Sequence, residues 1–380
     1  MFLDLLGVPD EGATDALECL CKAVAEGDDA SVWAPHYSPF LSTLVESFTH
    51  NGLQVSAEMA AEISSWLTGK MYAPKYAGSP APEPFPWAAR DLPAVYAYLA
   101  GKRPAEMSFA DWSMLGDYIV SVHAPPSFVQ SHAGWLAVRA SVMGKLQAQK
   151  PGLSVAQADN ALASLPSTVE HALAAYRFTP AQVQSMQYIA AHCADTIVAA
   201  SDALRYGIKA ALLQEMVQPH VPGVPSQSLQ TKLFDAFGKF NRDWRRIALT
   251  EAGEAANQGF IAALTPGARV RRFEQYTGAC DFCKKLHGKE FAVVAPNARG
   301  KNGQTQVWPG KSNVGRSASP TKIADGVAVK RTADELWWPA AGLQHPHCRG
   351  MWLLETVTGL GQDQATDAEW NKWLLAIGLS

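Results

Sequence analysis

No stretch of this chain reaches the ~18 consecutive apolar residues of a membrane helix, which argues against a spanning segment. Cysteine is scarce, at six in 380 residues, too few to staple a chain of this length, so reduced thiols are expected and not a disulfide framework. The opening "MFLDLLGVPDEG" carries acids where a secretory signal would carry bases, which makes export by that route unexpected. No repeat of solenoid length occurs. There is also no nucleophile elbow, no HExxH and no paired-carboxylate pattern to carry hydrolytic chemistry. "WPGKSN" (308–313) resembles the end of a phosphate-binding loop, but Thr305 stands at its first glycine position and a proline precedes Gly310. It is a decoy.

What is present is a folded, helix-favouring composition. Apolar residues make up 48% and charged residues 18%, and alanine is abundant. The length suggests two or three domains. Residues 1–71 read as short helices, with Ala16, Leu20 and Ala23 on one face before Gly27. Residues 72–93 hold six prolines and read as an extended linker or surface strap. Helical patterns resume over 94–178, where Trp112 and Trp135 look like packing aromatics.

A long helix pair is expected over 179–265. Thr179 and Pro180 supply an N-cap and a first-turn proline. Apolar residues then recur at three- and four-residue spacing from Val183 through Cys193 and Ile208 to Leu212. After the break "QPHVPGVPS", Leu233, Phe237, Phe240, Trp244 and Ile247 mark a second amphipathic helix, which should pack antiparallel on the first. From Pro266 the texture changes, and "KEFAVV", "GVAVKR" and "RGMWLLETV" look like strands around a long polar loop over 295–322. The expected fold is therefore mainly α: a helical body, a long antiparallel helix pair, and a small α+β module over 266–356 that contains a knuckle. A tail follows over 357–380.

The knuckle is "GACDFCKKLHG" (278–288), with Cys280 and Cys283 two residues apart. A redox pair of this spacing belongs where a strand meets a helix in a βαβ unit, and nothing before Cys280 reads as one. A zinc site needs about four soft ligands, commonly two from each of two knuckles. His345 and Cys348, in "LQHPHCRGMW", form the second pair, with His347 and His287 as substitute nitrogen ligands. The remaining reading is a metal-free module in which these side chains pack a small core.

Charge is uneven along the chain. Residues 269–331 hold 13 Lys and Arg against 4 Asp and Glu, so the rest carries about −12 of the net −3. Arg299, Lys301, Lys311, Arg316 and Lys322 are candidate contacts to double-stranded DNA, weak and without sequence preference; a solvated basic loop is the alternative. In the tail, Trp370, Trp373, Leu374 and Ile377 line one side of a short helical pattern, set either to dock on a partner or to cover this protein's own body.

Three of these stretches occur in the order found in phage Mu F-like minor head proteins: "IALTEAGEAANQGF" (247–260), "ACDFCKKLHGKEF" and "WWPAAGLQHPHCRGMW". The chain resembles that family over about 230–356. Thr250, Glu251, Asn257, Gly259, Cys280, Cys283, Gly288, Pro339, His345, Pro346, Cys348 and Arg349 match by position. Leu249 stands where the family has arginine, and Gly350 replaces the last cysteine of its closing motif. The resemblance implies a non-enzymatic minor capsid protein acting in head morphogenesis near the portal. Its partners would be the portal or major capsid protein and packaged DNA. It would reside in the host cytoplasm during assembly and then inside the virion head. Thr250, Glu251 and Arg349 would be structural, with Thr250 and Glu251 bonding the knuckle backbone or the groups behind a metal. A catalytic role for Glu251 is the sharper alternative. Competing functions are a zinc-dependent nuclease or toxin-like enzyme and a cellular zinc-ribbon protein that binds nucleic acid; the nuclease would need an open metal position.

Overall fold

Apolar residues at helical spacing build most of this protein. The computed structural model describes residues 39–149, 155–175, 178–217, 227–274, 279–324, 326–346 and 348–355. Its helices are α1 (Pro39–Leu67), α2 (Leu92–Ala100), α3 (Phe109–His123), α4 (Pro126–Gln149), α5 (Val155–Ala163), α6 (Val169–Ala175), α7 (Pro180–Val217), α8 (Gln227–Ala262) and the short α9 (Asp281–Leu286). Six strands accompany them: β1 (Arg269–Phe273), β2 (Glu290–Val293), β3 (Gln306–Val307), β4 (Thr321–Ala324), β5 (Val327–Lys330) and β6 (Met351–Leu354). The fold is thus mainly helical with a small mixed sheet, as expected. Among the described residues no helix is long and apolar enough to cross a membrane. The helical pattern expected around Ala16–Ala23 and the tail stripe of Trp370, Trp373, Leu374 and Ile377 lie outside the described residues.

Helix starts follow local chemistry. The Gln182 amide donates to Thr179 Oγ1 and the Thr179 amide to Gln182 Oε1, a reciprocal cap that opens α7. Ser108 and Asp111 do the same for α3. The proline-rich stretch forms single turns at Pro74–Tyr76 and Ala89–Asp91, with exposed, irregular chain between.

The chain divides into two compact units, each assembled from separated stretches. The first contains Phe48–Val129 and Ala194–Arg245. At its centre Trp244 is fully buried, donates its indole N–H to the Phe48 carbonyl at 2.7 Å and stacks on the Phe48 ring at 4.9 Å. A buried indole must find such an acceptor or leave a donor unsatisfied. In the same unit Asp117 receives Lys209 at 2.9 Å.

The second unit contains the described parts of Ala34–Ser47, Gln130–Cys193 and Arg246–Ser380. Here α7 and α8 run antiparallel: His192 meets Glu251, while Tyr188, one turn earlier, feels the charge of Glu254, nearly one turn later. Val138, Val142, Met143 and Leu146 of α4 pack with Ala161, Leu162, Val169, Ala172 and Met186. Helices α4 and α8 cross at contact distance because glycine occupies the crossing on both. A Cβ at Gly144 would overlap the Ala256 carbonyl, and one at Gly259 would overlap that of Ser141.

The sheet of this unit has the order β3-β2-β1-β6. β1 pairs antiparallel with both β2 and β6, in a register that sets Val270 opposite Phe291 and Arg272 opposite Trp352. β2 and β3 are parallel, and β4 and β5 form a separate hairpin. One face of the sheet packs Val270, Phe291, Val293, Val307 and Trp352 on Phe260, Ile261 and Leu264 from the end of α8. Strands β2, β5 and β6 fall within the segments expected from composition. β1 was not expected, since three of its five residues are arginine. The segment 295–322 was expected to be loop throughout, yet it contains β3 and enters β4.

The helix crossing gives the first prediction. Gly144→Val should destabilise the second unit by roughly 3 kcal/mol, the upper end of overpacking costs, because the obstacle is backbone. Urea titration followed by far-UV circular dichroism measures this; a midpoint unchanged from wild type would mean that the two helices separate without cost.

Candidate metal centre

Two turns carrying sulfur and one strand carrying arginine converge beside the end of α8. Cys280 precedes α9 and Cys283 lies in its first turn. His345 and Cys348 occupy the loop before β6, in a tight turn closed by the Cys348 amide bonding the His345 carbonyl at 3.1 Å. The sulfurs of Cys280 and Cys283 each lie 3.3 Å from His345 Nε2, and the Cys283 and Cys348 sulfurs are 3.6 Å apart. In a tetrahedral zinc site with Zn–S of about 2.3 Å and Zn–N of about 2.0–2.1 Å, the ligand atoms would stand about 3.6–3.8 Å from one another. These three of the six separations are near that edge, while Cys348 shares no group with Cys280 or His345. Cys280, Cys283 and His345 form one group able to hold a metal ion; Glu274, Cys283 and Cys348 form a second, and Cys283 belongs to both.

His345 is held in the orientation a ligand needs. Its Nδ1 lies 2.6 Å from the Pro346 carbonyl, so Nδ1 carries the proton and Nε2 turns its lone pair on the sulfurs. Trp337 stacks flat on the ring, 5.3 Å between centroids and 11° from parallel, and Phe282 braces Trp337 from its edge. Strand alternation sends Arg272 to the buried face beside Val270, where it is 1% exposed. Its guanidinium lies over Trp352 and donates to Cys348 Sγ at 3.3 Å. The hydrogen bond from Cys283, reinforced by this cation, holds the Cys348 thiol well below its ordinary pKa, while that same bond and burial push Cys283 up.

The position where the resemblance lacks its last cysteine is also explained. A Cβ on Gly350 would come within 2.5 Å of Arg272 Nη2 and 2.6 Å of Glu274 Oε2. The space that a side chain at 350 would need is filled by the Arg272 and Glu274 side chains.

The remaining site candidates separate clearly. His287, expected as a substitute ligand, turns away from the sulfurs: its Nδ1 accepts the Glu274 amide at 3.0 Å and its ring packs on Phe273. His347 lies outside the described residues. Thr250 and Glu251, expected to bond the knuckle, sit in the middle of α8, where Glu251 is buried and bound to His192 Nδ1 at 2.9 Å. The next turns of α8 bond the loops before and after the closing motif's cysteine and the loop at 310. Glu254 accepts the Leu343 amide, Asn257 donates to the Gly350 carbonyl at 3.0 Å, and Gln258 accepts the Gly310 amide at 2.9 Å. Burial raises the Glu254 carboxyl to about 7. Arg349 is buried. β1 and β2, which flank α9, are antiparallel, so the knuckle does not sit in the parallel βαβ unit of a redox pair.

Lys311 corrects the basic-loop reading. It is 1% exposed and points inward, donating to the Gly303 and Gln306 carbonyls at 2.7 Å with Trp308 and Trp338 on either side. A cation so placed organises its own loop and does not face DNA. Arg316 stacks 3.5 Å over Trp338 and donates to the Leu336 carbonyl. Lys322 pairs with Glu335, whose carboxyl it holds down at about 2. Lys301 lies over Trp308 and bonds the Pro296 carbonyl, and Arg299 is exposed. Sequence reasoning missed Arg272, Glu254, Gln258 and Trp337; only the polar spacing of Glu254, Asn257 and Gln258 along one helix face gave a signal. Comparison with protein families, curated proteins and solved structures finds no match for this chain.

Burial lowers the Lys311 pKa to about 7 in the folded protein, so between pH 7 and 10 the unfolded chain binds the extra proton and stability rises with pH. The stability of wild type relative to Lys311→Met should therefore grow by roughly 1–3 kcal/mol across that range. Chemical denaturation of both proteins at pH 7 and pH 10 gives the difference; a constant difference would mean that Lys311 stays charged when folded.

Proposed function

We propose that this chain is a minor head protein of a tailed bacteriophage, a non-enzymatic assembly component whose C-terminal module is tied by one structural zinc ion. The observation that carries the reading is the convergence of its three ordered motifs. Asn257, from the helix motif, bonds the Gly350 carbonyl; Cys280 and Cys283, from the knuckle, meet His345 and Cys348 from the closing motif. Gly259 admits the neighbouring helix. Residues shared with the family thus have packing work to do around one small module, which favours a structural role over a catalytic one.

Zinc suits the donor set, with three thiol sulfurs and one imidazole in place of oxygen ligands. Four protein ligands would close the site, and Cys283 and Cys348 are 2% and 4% exposed. Cys280 is exposed and His345 half-buried, so the reading rests on ligand number: a site closed by four protein ligands supplies folding energy and leaves no position for an activated water, which disfavours the nuclease reading. Three thiolates on a divalent ion leave one negative charge, and Arg272 is the cation that meets it. Within this proposal the protein acts beside the portal or major capsid protein, in the host cytoplasm and then in the head. Contact with packaged DNA falls to Arg299 and the exposed part of Lys301, since the other three candidates are engaged within their own loop.

Freshly purified protein should contain one zinc per chain by elemental analysis. Apparent zinc binding of roughly 10–16 kcal/mol in small modules means that Cys283→Ser should lose the metal and expose 266–356 to protease while the helical body survives. Metal-free wild type with unchanged protease resistance in the variant would sink the zinc assignment. The assembly role is tested separately, by sedimentation: the wild-type protein should travel with phage heads through a gradient. Its absence from heads, with the zinc site intact, would refute the head role alone.

A further inference from the structure

Beside the sulfur cluster, α7, α8 and the loops around residues 313 and 345 enclose a cleft of about 280 Å³. Its base carries Glu251, buried, and Glu254, partly open, three residues apart on α8. Two aromatic rings wall it. Tyr188 stacks on His192 and is 44% exposed; Trp337 stacks on His345. Burial, with the charge of Glu254 and Glu251 behind it, pushes the Tyr188 phenol up. Val314 stands at the mouth, 68% exposed.

We propose that this cleft receives an arginine side chain presented by a partner protein. The volume lies just under the ~300 Å³ at which small-molecule pockets begin, which suits a single side chain better than a cofactor. Carboxylates at the base and aromatic rings at the sides complement a planar cation that can form paired hydrogen bonds at its tip and lie along a ring face. A guanidinium meets both demands and gives up its water more readily than an ammonium. Positive groups are also present. His192 is turned on Glu251 through Nδ1, and Arg316 at the rim is stacked on Trp338 and bonded to the Leu336 carbonyl. Glu254 keeps its contacts to Leu343 and Gln258 and still opens to the cleft. The inference does not depend on the head-protein reading.

The full-length protein as purified is titrated with N-acetyl-arginine methylamide, followed by saturation-transfer NMR on the ligand. Saturable binding is expected, at least tenfold tighter than for the citrulline analogue, which has the same shape without the charge. Glu251→Gln should weaken arginine binding at least tenfold. Val314→Trp, at an exposed position, should block it with no change in melting temperature, and it decides the matter alone if the glutamine variant misfolds. Equal binding of arginine and citrulline, or full binding by Val314→Trp, overturns the proposal. So does agmatine binding tenfold more tightly than the blocked residue, which would make the cleft a site for a free guanidine.

Discussion

The C-terminal module depends on a row of side-chain hydrogen bonds from α8 to chain that has little regular structure of its own. Between β3 and β6 the described residues make one two-stranded hairpin, a single bridge between Ser317 and Leu336, and otherwise turns and irregular chain. Such a stretch satisfies only part of its backbone through its own turns and bridges, and the rest is held from outside. Glu254, Asn257 and Gln258 hold it at Leu343, Gly350 and Gly310. Asn313 adds a cross-link within the loop, donating to the Trp338 and Gln344 carbonyls. With those points fixed, His345 and Cys348 are carried to the sulfurs of the knuckle. The cluster is thus a consequence of the helix as much as of the cysteines.

Charge in this region is used internally. Arg272, Lys311 and Arg349 are each 1% exposed. Isolated cations at such depth are costly, so each needs compensation. Arg272 has the Cys348 sulfur and a ring face, and Lys311 has two carbonyls and two indoles. The local excess of base in the sequence therefore measures the demands of a loop-rich core more than the charge of a surface.

The helices were legible because their signals are local. Thr179-Pro180 and the spacing from Leu233 to Ile247 specify α7 and α8 without reference to the rest of the fold. The four cluster residues were legible for a different reason, since thiol and imidazole at knuckle spacing have few structural uses. Arg272 and Lys311 could not be read in this way. Their type predicts exposure, and only the sheet register and the paired tryptophans, both set by residues distant in sequence, turn them inward. The bonds of Glu254, Asn257 and Gln258 to the loops were not foreseen, because the sequence gives the helix face that carries polar groups but not the height at which a loop crosses it.

The interleaving of the two units bears on how the chain is made. Phe48–Val129 must wait for Ala194–Arg245 before its unit is complete, and the intervening stretch belongs to the other unit. On the ribosome the N-terminal unit therefore cannot close as a finished domain while the C-terminal one is still inside the exit tunnel, as a simple tandem protein would. Trp244, which fills the centre of that unit, emerges nearly two hundred residues after its partner Phe48. Until then the Phe48 ring of α1 lacks the indole it stacks on, a long-range closure of the kind that slows folding and exposes a nascent chain to aggregation.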